Sequence, residues 1–247
     1  MNTQKNDDQI VDAKWKSLYK AGGAGSLIVG TLLLIEMIAY ITTSAPSLAD
    51  TAGWFSLFHN NRFIGLLDFG ILELYALVLF VPMFLALYVV LRRASESYMA
   101  IAAILAFVGI AVNFATSKLF SLLTLSDLYA AATNVAMKSQ FLATGQAILA
   151  VGALGGIGGS VEGGIPLAVA GLIISVIMLR SNILGKAVGY LGILANGIGL
   201  VMYFNAALAP AMSGSPFFGA FFLFSIIWFF LIGRKLLAAK LNSQQES

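Results

Sequence analysis

The chain has 247 residues, 60% of them hydrophobic and 10% charged, against about 25% charged in a soluble domain, so an ordinary soluble fold is excluded. With no cysteine and a single histidine, His59, disulfide frameworks, thiolate or His-rich metal sites and cysteine nucleophiles are excluded too. The net charge of +3 comes from basic residues that flank apolar stretches, a pattern that points to a bilayer and away from nucleic acid.

Residues 1–21 are polar and of mixed charge. They do not have the plan of a cleavable signal peptide, and Lys14, Trp15, Lys16, Tyr19 and Lys20 suit a lipid headgroup layer. The first apolar run, 22–43, is long enough to cross ~30 Å of hydrocarbon and carries Glu36. Ala45-Pro46 ends it, and in the loop 44–62 the residues Trp54, Phe55 and Phe58 are expected at the interface. The second span is read as one helix over 63–91, with Asp68 and Glu73 near one end, a kink at Pro82, and Arg92-Arg93 as a stop. The third, 98–123, contains Asn113 and Lys118.

The stretch 127–153 has good helix formers with Thr133, Asn134, Lys138, Gln140, Thr144 and Gln146 scattered through it. The glycine-rich run at 155–164 should break any helix; it lacks the lysine and Ser/Thr of a phosphate loop. Either 127–153 is a half-polar helix on the membrane surface, or 140–157 is a seventh span. A fourth span at 165–179 can open with Ser160 as N-cap and Glu162 in its first turn. The fifth, 187–207, has small residues at 185/189 and 195/199 that allow close helix packing. The sixth, 216–231, is rich in Phe expected to face lipid; Arg234-Lys235 stop it before the tail 236–247.

Charge placement chooses between six and seven spans. Six spans put 1–21, 92–97, 180–186 and 232–247 on one side, with eleven of the fourteen basic residues, and leave only Arg62 and Lys138 opposite, with Lys118 inside a span. A seventh span would destroy this positive-inside bias. The expectation is therefore an all-α integral membrane bundle of six transmembrane helices plus one outer-face amphipathic helix, with both termini cytoplasmic. Residues 22–235 form the single membrane domain between the two cytoplasmic tails, in the cell membrane.

Charged side chains inside a span cost ~2.5–3.5 kcal/mol each on insertion scales, so they have a partner or a purpose. Counted from the cytoplasmic ends, Lys118 is level with the interval between Asp68 and Glu73, and Glu36 is some two turns deeper. Asp68 and Glu73, five apart on one helix, lie about 140° from each other, so Lys118 is expected to pair with one of them. Asn113 and Asn196 are further polar groups near mid-membrane. The set Glu36, Asp68, Glu73, Lys118 and Asn113 defines a polar pocket in the outer half. It has two readings: a site that binds or passes a small solute or proton, and a structural or sensory subunit whose buried charges only hold helices together. No nucleophile or metal set accompanies the carboxylates, so no enzyme, cofactor or metal is expected; the lipid bilayer is the one partner implied.

Several segments together resemble the domain-of-unknown-function family 4386, multi-pass membrane proteins of bacteria and archaea: WKSLYKAGG at 15–23, LALYVVLR at 85–92, YAAAT at 129–133 with FLATGQAILA at 141–150, and ISVIMLRSN at 174–182 with GYLGIL at 189–194. The likeness spans roughly 15–237. It implies the six spans and a polar outer helix after the third, and it brings no activity or catalytic residues.

Overall fold

A computed structural model describes residues 15–152, 161–208 and 217–238, and the regular elements in them are all α-helices. They are α1 (Lys16–Thr42), α2 (Thr51–Asn60), α3 (Arg62–Asp68), α4 (Ile71–Leu91), α5 (Glu96–Thr116), α6 (Leu119–Ala131), α7 (Val135–Gly152), α8 (Val161–Ser181), α9 (Lys186–Leu208) and α10 (Phe217–Ala238). The expected Ser160 cap, the glycines at 155–159 and the outermost parts of both tails lie outside the described residues. Six helical stretches are long and apolar enough to cross a membrane, so the protein is an all-α, multi-pass membrane bundle.

The six spans close into a ring. α1 packs on α4 and α10, α5 on α4 and α8, and α9 on α8 and α10. Neighbours run in opposite directions, so the start of α1, the α4–α5 and α8–α9 turns and the end of α10 share one end of the ring. Two contacts confirm this basic end: the Arg92 guanidinium sits 6.0 Å over the Trp15 ring, and a Cβ on Gly185 would be 3.8 Å from Lys235 Nζ. Close approach needs glycine. A Cβ on Gly22 would meet Ala86 Cβ at 2.5 Å and the Pro82 carbonyl oxygen at 2.8 Å, and one on Gly233 would be 2.9 Å from the Gly23 carbonyl oxygen. α1 is thus seated between α4 and α10 at backbone distance. The core within the ring is built around Leu87, Met83, Ile174, Met178, Trp228 and Ile232.

At the opposite end, α2, α3, α6 and α7 form a cap with a core of its own, made of Trp54, Phe55, Phe58, Leu119, Leu122, Leu123 and Leu149. Local capping defines its short helices: Asp50 Oδ1 accepts from the Gly53 N–H, Asn61 Oδ1 from the Ile64 N–H and Asn134 Oδ1 from the Met137 N–H. Across the cap, Ser126 Oγ donates to the Phe55 carbonyl at 3.0 Å.

Several expectations change. Trp54, Phe55 and Phe58 are 1–2% exposed; on a helix, 54, 55 and 58 share one face, and α6 covers it. The stretch 63–91 is two helices, broken at Phe69-Gly70. The stretch 98–123 is also broken, where Ser117 takes an extended ψ of 129°. The outer half-polar helix is α7, starting at Val135 rather than 127, with Lys138, Gln140, Thr144 and Gln146 exposed. Its inner face is Gly145 and Leu149, and a Cβ on Gly145 would strike Thr51 and Phe55. Not all of the α10 phenylalanines face lipid: Phe222 and Phe229 are buried and Phe229 stacks on Phe80 of α4. Tyr19 is buried in the ring core rather than placed among headgroups.

Candidate functional site

The break between α3 and α4 builds the site. The Phe69 N–H donates to the Gly65 carbonyl and the Gly70 N–H to the Leu67 carbonyl, and Gly70 takes φ 92°, ψ 31°. That left-handed conformation is open to glycine and strained for other residues. It ends α3 and restarts the chain as α4 with Glu73 in the first turn, where a carboxylate meets the positive end of the helix dipole.

Opposite this turn stands Glu36 of α1, 4% exposed. A Cβ on Gly70 would be 3.6 Å from Glu73 Oε2 and 3.7 Å from Glu36 Oε1. Two carboxylates from adjacent helices therefore converge on the bare flank of one glycine, within about 7 Å of each other by those two distances. Glu36 Oε1 is sealed from solvent and has no hydrogen-bond partner among the described residues. The expected two-turn offset of Glu36 is absent because α1 begins at Lys16, not 22, which brings Glu36 level with Glu73.

Tyr203 of α9, which sequence reasoning passed over, reaches the same region from across the ring. Its ring occupies the space beside Gly164 of α8 and meets Phe221 edge-on at 6.4 Å. It interacts electrostatically with Glu73. The signal available in the sequence was a phenol inside a membrane span, two turns after Asn196.

Asp68 is 6% exposed and ends α3 two residues before Gly70. Thr43 Oγ1, at the end of α1, is 2.9 Å from Asp68 Oδ1 and 2.7 Å from the Ala39 carbonyl oxygen. One hydroxyl proton serves one of those acceptors at a time. Asp68 Oδ2 is buried without a partner. Burial raises the Asp68 carboxyl above the usual carboxylate range, and the Thr43 hydroxyl acts against that rise.

Lys118 makes no ion pair with these carboxylates among the described residues, and Asn113 contacts its own helix α5 and α8. Lys118 is the residue before α6, half-buried, and forms no ion pair among the described residues. α5 ends at Thr116, two residues before it. The other basic residues at this end are engaged elsewhere: Arg62 makes two 3.1 Å bonds to Asp127 on the cap surface, and Lys138 sits over the Tyr129 ring. Asn113 is buried, donates to the Gly109 carbonyl at 3.0 Å, and fills the space beside Gly163 of α8. Asn196 donates to the Gly192 carbonyl and stands where a Cβ on Gly171 would be. Both asparagines serve helix–helix contacts. Among the described residues no group of three or more His, Cys, Asp or Glu is placed to hold a metal ion.

Glu36 and Glu73 are thus a pair of neighbouring carboxyl groups at the seam between ring and cap. No family model, curated protein or solved structure matches the chain.

Proposed function

We propose that this is a non-enzymatic protein of the cell membrane that binds, and passes, a positive charge supplied from outside the chain, a proton or a small cationic solute, at Glu36 and Glu73. The observation that carries the reading is the buried, unpartnered Glu36 Oε1 facing a second carboxylate across Gly70. An ion held in a low-dielectric site needs a compensating charge, and Lys118, Arg62 and Lys138 do not provide it. The clustering of basic residues at the far end supports an orientation with that end, and both termini, in the cytoplasm. Cap and carboxylates then belong to the outer half. The likeness to family 4386 fits a multi-pass protein and adds no activity. The alternative, charges that only fasten helices, finds support in the Asp68–Thr43 contact but has no Lys118 ion pair to stand on.

The test uses the full-length protein in detergent and dicyclohexylcarbodiimide, which adds to protonated carboxyls in apolar surroundings. Peptide mass spectrometry should place the adduct on Glu36 or Glu73. Raising pH, or adding sodium, potassium or tetramethylammonium, should slow its formation. Folded protein that stays unmodified, with an unfolding temperature indifferent to all of these cations and to pH, would end the reading.

A further inference from the structure

The polar seam continues outward from Glu36. Glu36, Ala39 and Thr43 share one face of α1, and Thr43 is seven residues, or about 10 Å, beyond Glu36. There it meets Asp68, whose Oδ2 is the second buried, unpartnered carboxylate oxygen at this end of the ring. Asp68 is 6% exposed, and Arg62, six residues earlier in α3, is committed to Asp127. Asp68 also immediately precedes the Phe69-Gly70 break whose glycine flank holds both glutamates. The three carboxylates therefore form a path along α1, an outer one steadied by a hydroxyl and an inner pair.

We propose that Asp68, held by Thr43, is an outer binding station through which the positive charge reaches Glu36 and Glu73. This rests on the reading of the inner pair given above. Asp68 carries the charge that draws a cation to the seam between cap and ring. Thr43 fixes the carboxylate so that its free oxygen stays inside the seam rather than turning to solvent.

The natural absence of cysteine allows a direct test. Glu36→Cys is made in the full chain and labelled with three methanethiosulfonates of similar size: a trimethylammonium cation, a sulfonate anion and a neutral hydroxyethyl reagent. The cation should react faster than the anion. Adding Asp68→Asn, whose amide oxygen still accepts from Thr43, should lower the cation-to-anion rate ratio roughly ten- to a hundredfold, since removing one charge about 10 Å away slows the cation and speeds the anion by about three- to tenfold each at an effective dielectric of ~25–50. The neutral rate should not change. A cation preference that is equal with and without Asp68 would overturn the outer station while leaving the inner pair standing. No labelling by any reagent, in protein that elutes as folded on gel filtration, would overturn both. If Glu36→Cys does not fold, Glu73→Cys reads the same ratio from the other half of the pair.

Discussion

The repulsion between Glu36 and Glu73 can be measured as a coupling energy. Both carboxylate oxygens stand within 4 Å of the same point beside Gly70, so the charges are separated by no more than about 7 Å. At an effective dielectric of ~20, two unit charges at that distance repel by about 2 kcal/mol. Glu36→Gln and Glu73→Gln each keep the side-chain shape and each remove the whole repulsion. The double variant therefore gains about 2 kcal/mol less than the sum of the single gains, because the second substitution has no repulsion left to remove. The assay is equilibrium unfolding in mixed micelles at a pH high enough to ionise both groups, without added small cations. Independent sites add to within about 0.3–0.5 kcal/mol, so additive single effects would show that the pair does not interact as charges. Repeating the cycle with a bound cation should shrink the coupling, since the ligand stabilises only the wild-type site by mass action.

Further outcomes follow from the same contacts. Gly70→Ala should cost about 1–2 kcal/mol through its left-handed backbone alone, because a Cβ there has only ordinary contacts at 3.6 and 3.7 Å; Gly70→Asn should cost less in the same unfolding assay. The raised Asp68 carboxyl gives a pH dependence of definite sign. The native state holds this proton to higher pH than the unfolded chain does, so its contribution to stability is complete below the unfolded pKa and is lost as pH rises through the folded one. Asp68→Asn should therefore gain stability over wild type at neutral pH, and the difference should vanish below about 4, near the ordinary aspartate value of 3.8. Phe58→Ala should cost about 3–5 kcal/mol and raise hydrogen exchange in α2 more than in α8, since Phe58 belongs to the cap core alone. Arg62→Ala should change stability by less than about 1 kcal/mol, because its ion pair with Asp127 is half exposed on both sides.

Composition and run length made the six spans legible, since every span is a long apolar stretch ended by a polar or basic turn. The cap was harder to see. Its buried face, Trp54, Phe55 and Phe58, is apolar in a short segment, and in a membrane protein such a segment can equally lie at the interface; what buries it is α6, more than sixty residues later. The break at Gly70 was hidden because one glycine in an apolar run is compatible with a continuous helix, and only the backbone reveals its positive φ. That one turn accounts for most of the error in the site. It invalidates the 140° separation of Asp68 and Glu73, and it brings Glu73 to Glu36. The end of α5 at Thr116 likewise sets Lys118 in a turn between two helices rather than inside one. Residue type marked Glu36, Asp68 and Glu73 as unusual in apolar runs; the proximity of Glu36 and Glu73 depended on helix ends that hydropathy does not mark.

The two cores meet at the site. Leu74 packs against both of them, one residue after Glu73. Phe69, one residue before Gly70, places its ring 5.0 Å from Trp54 in the cap. The turn that holds the carboxylates is therefore packed on both cores at once. Packing alone gives no reason for acids here: an uncharged pair of similar volume would avoid both their mutual repulsion and their desolvation, and replacing buried ions in this way is often neutral or stabilising. Glu73 has a local compensation in the dipole of α4. Glu36 sits in the last two turns of α1, toward the negative end of its helix dipole, and has none. Under the proposed function the positively charged ligand supplies what Glu36 lacks, so substitution of Glu36 is the change that separates a binding site from a packing device.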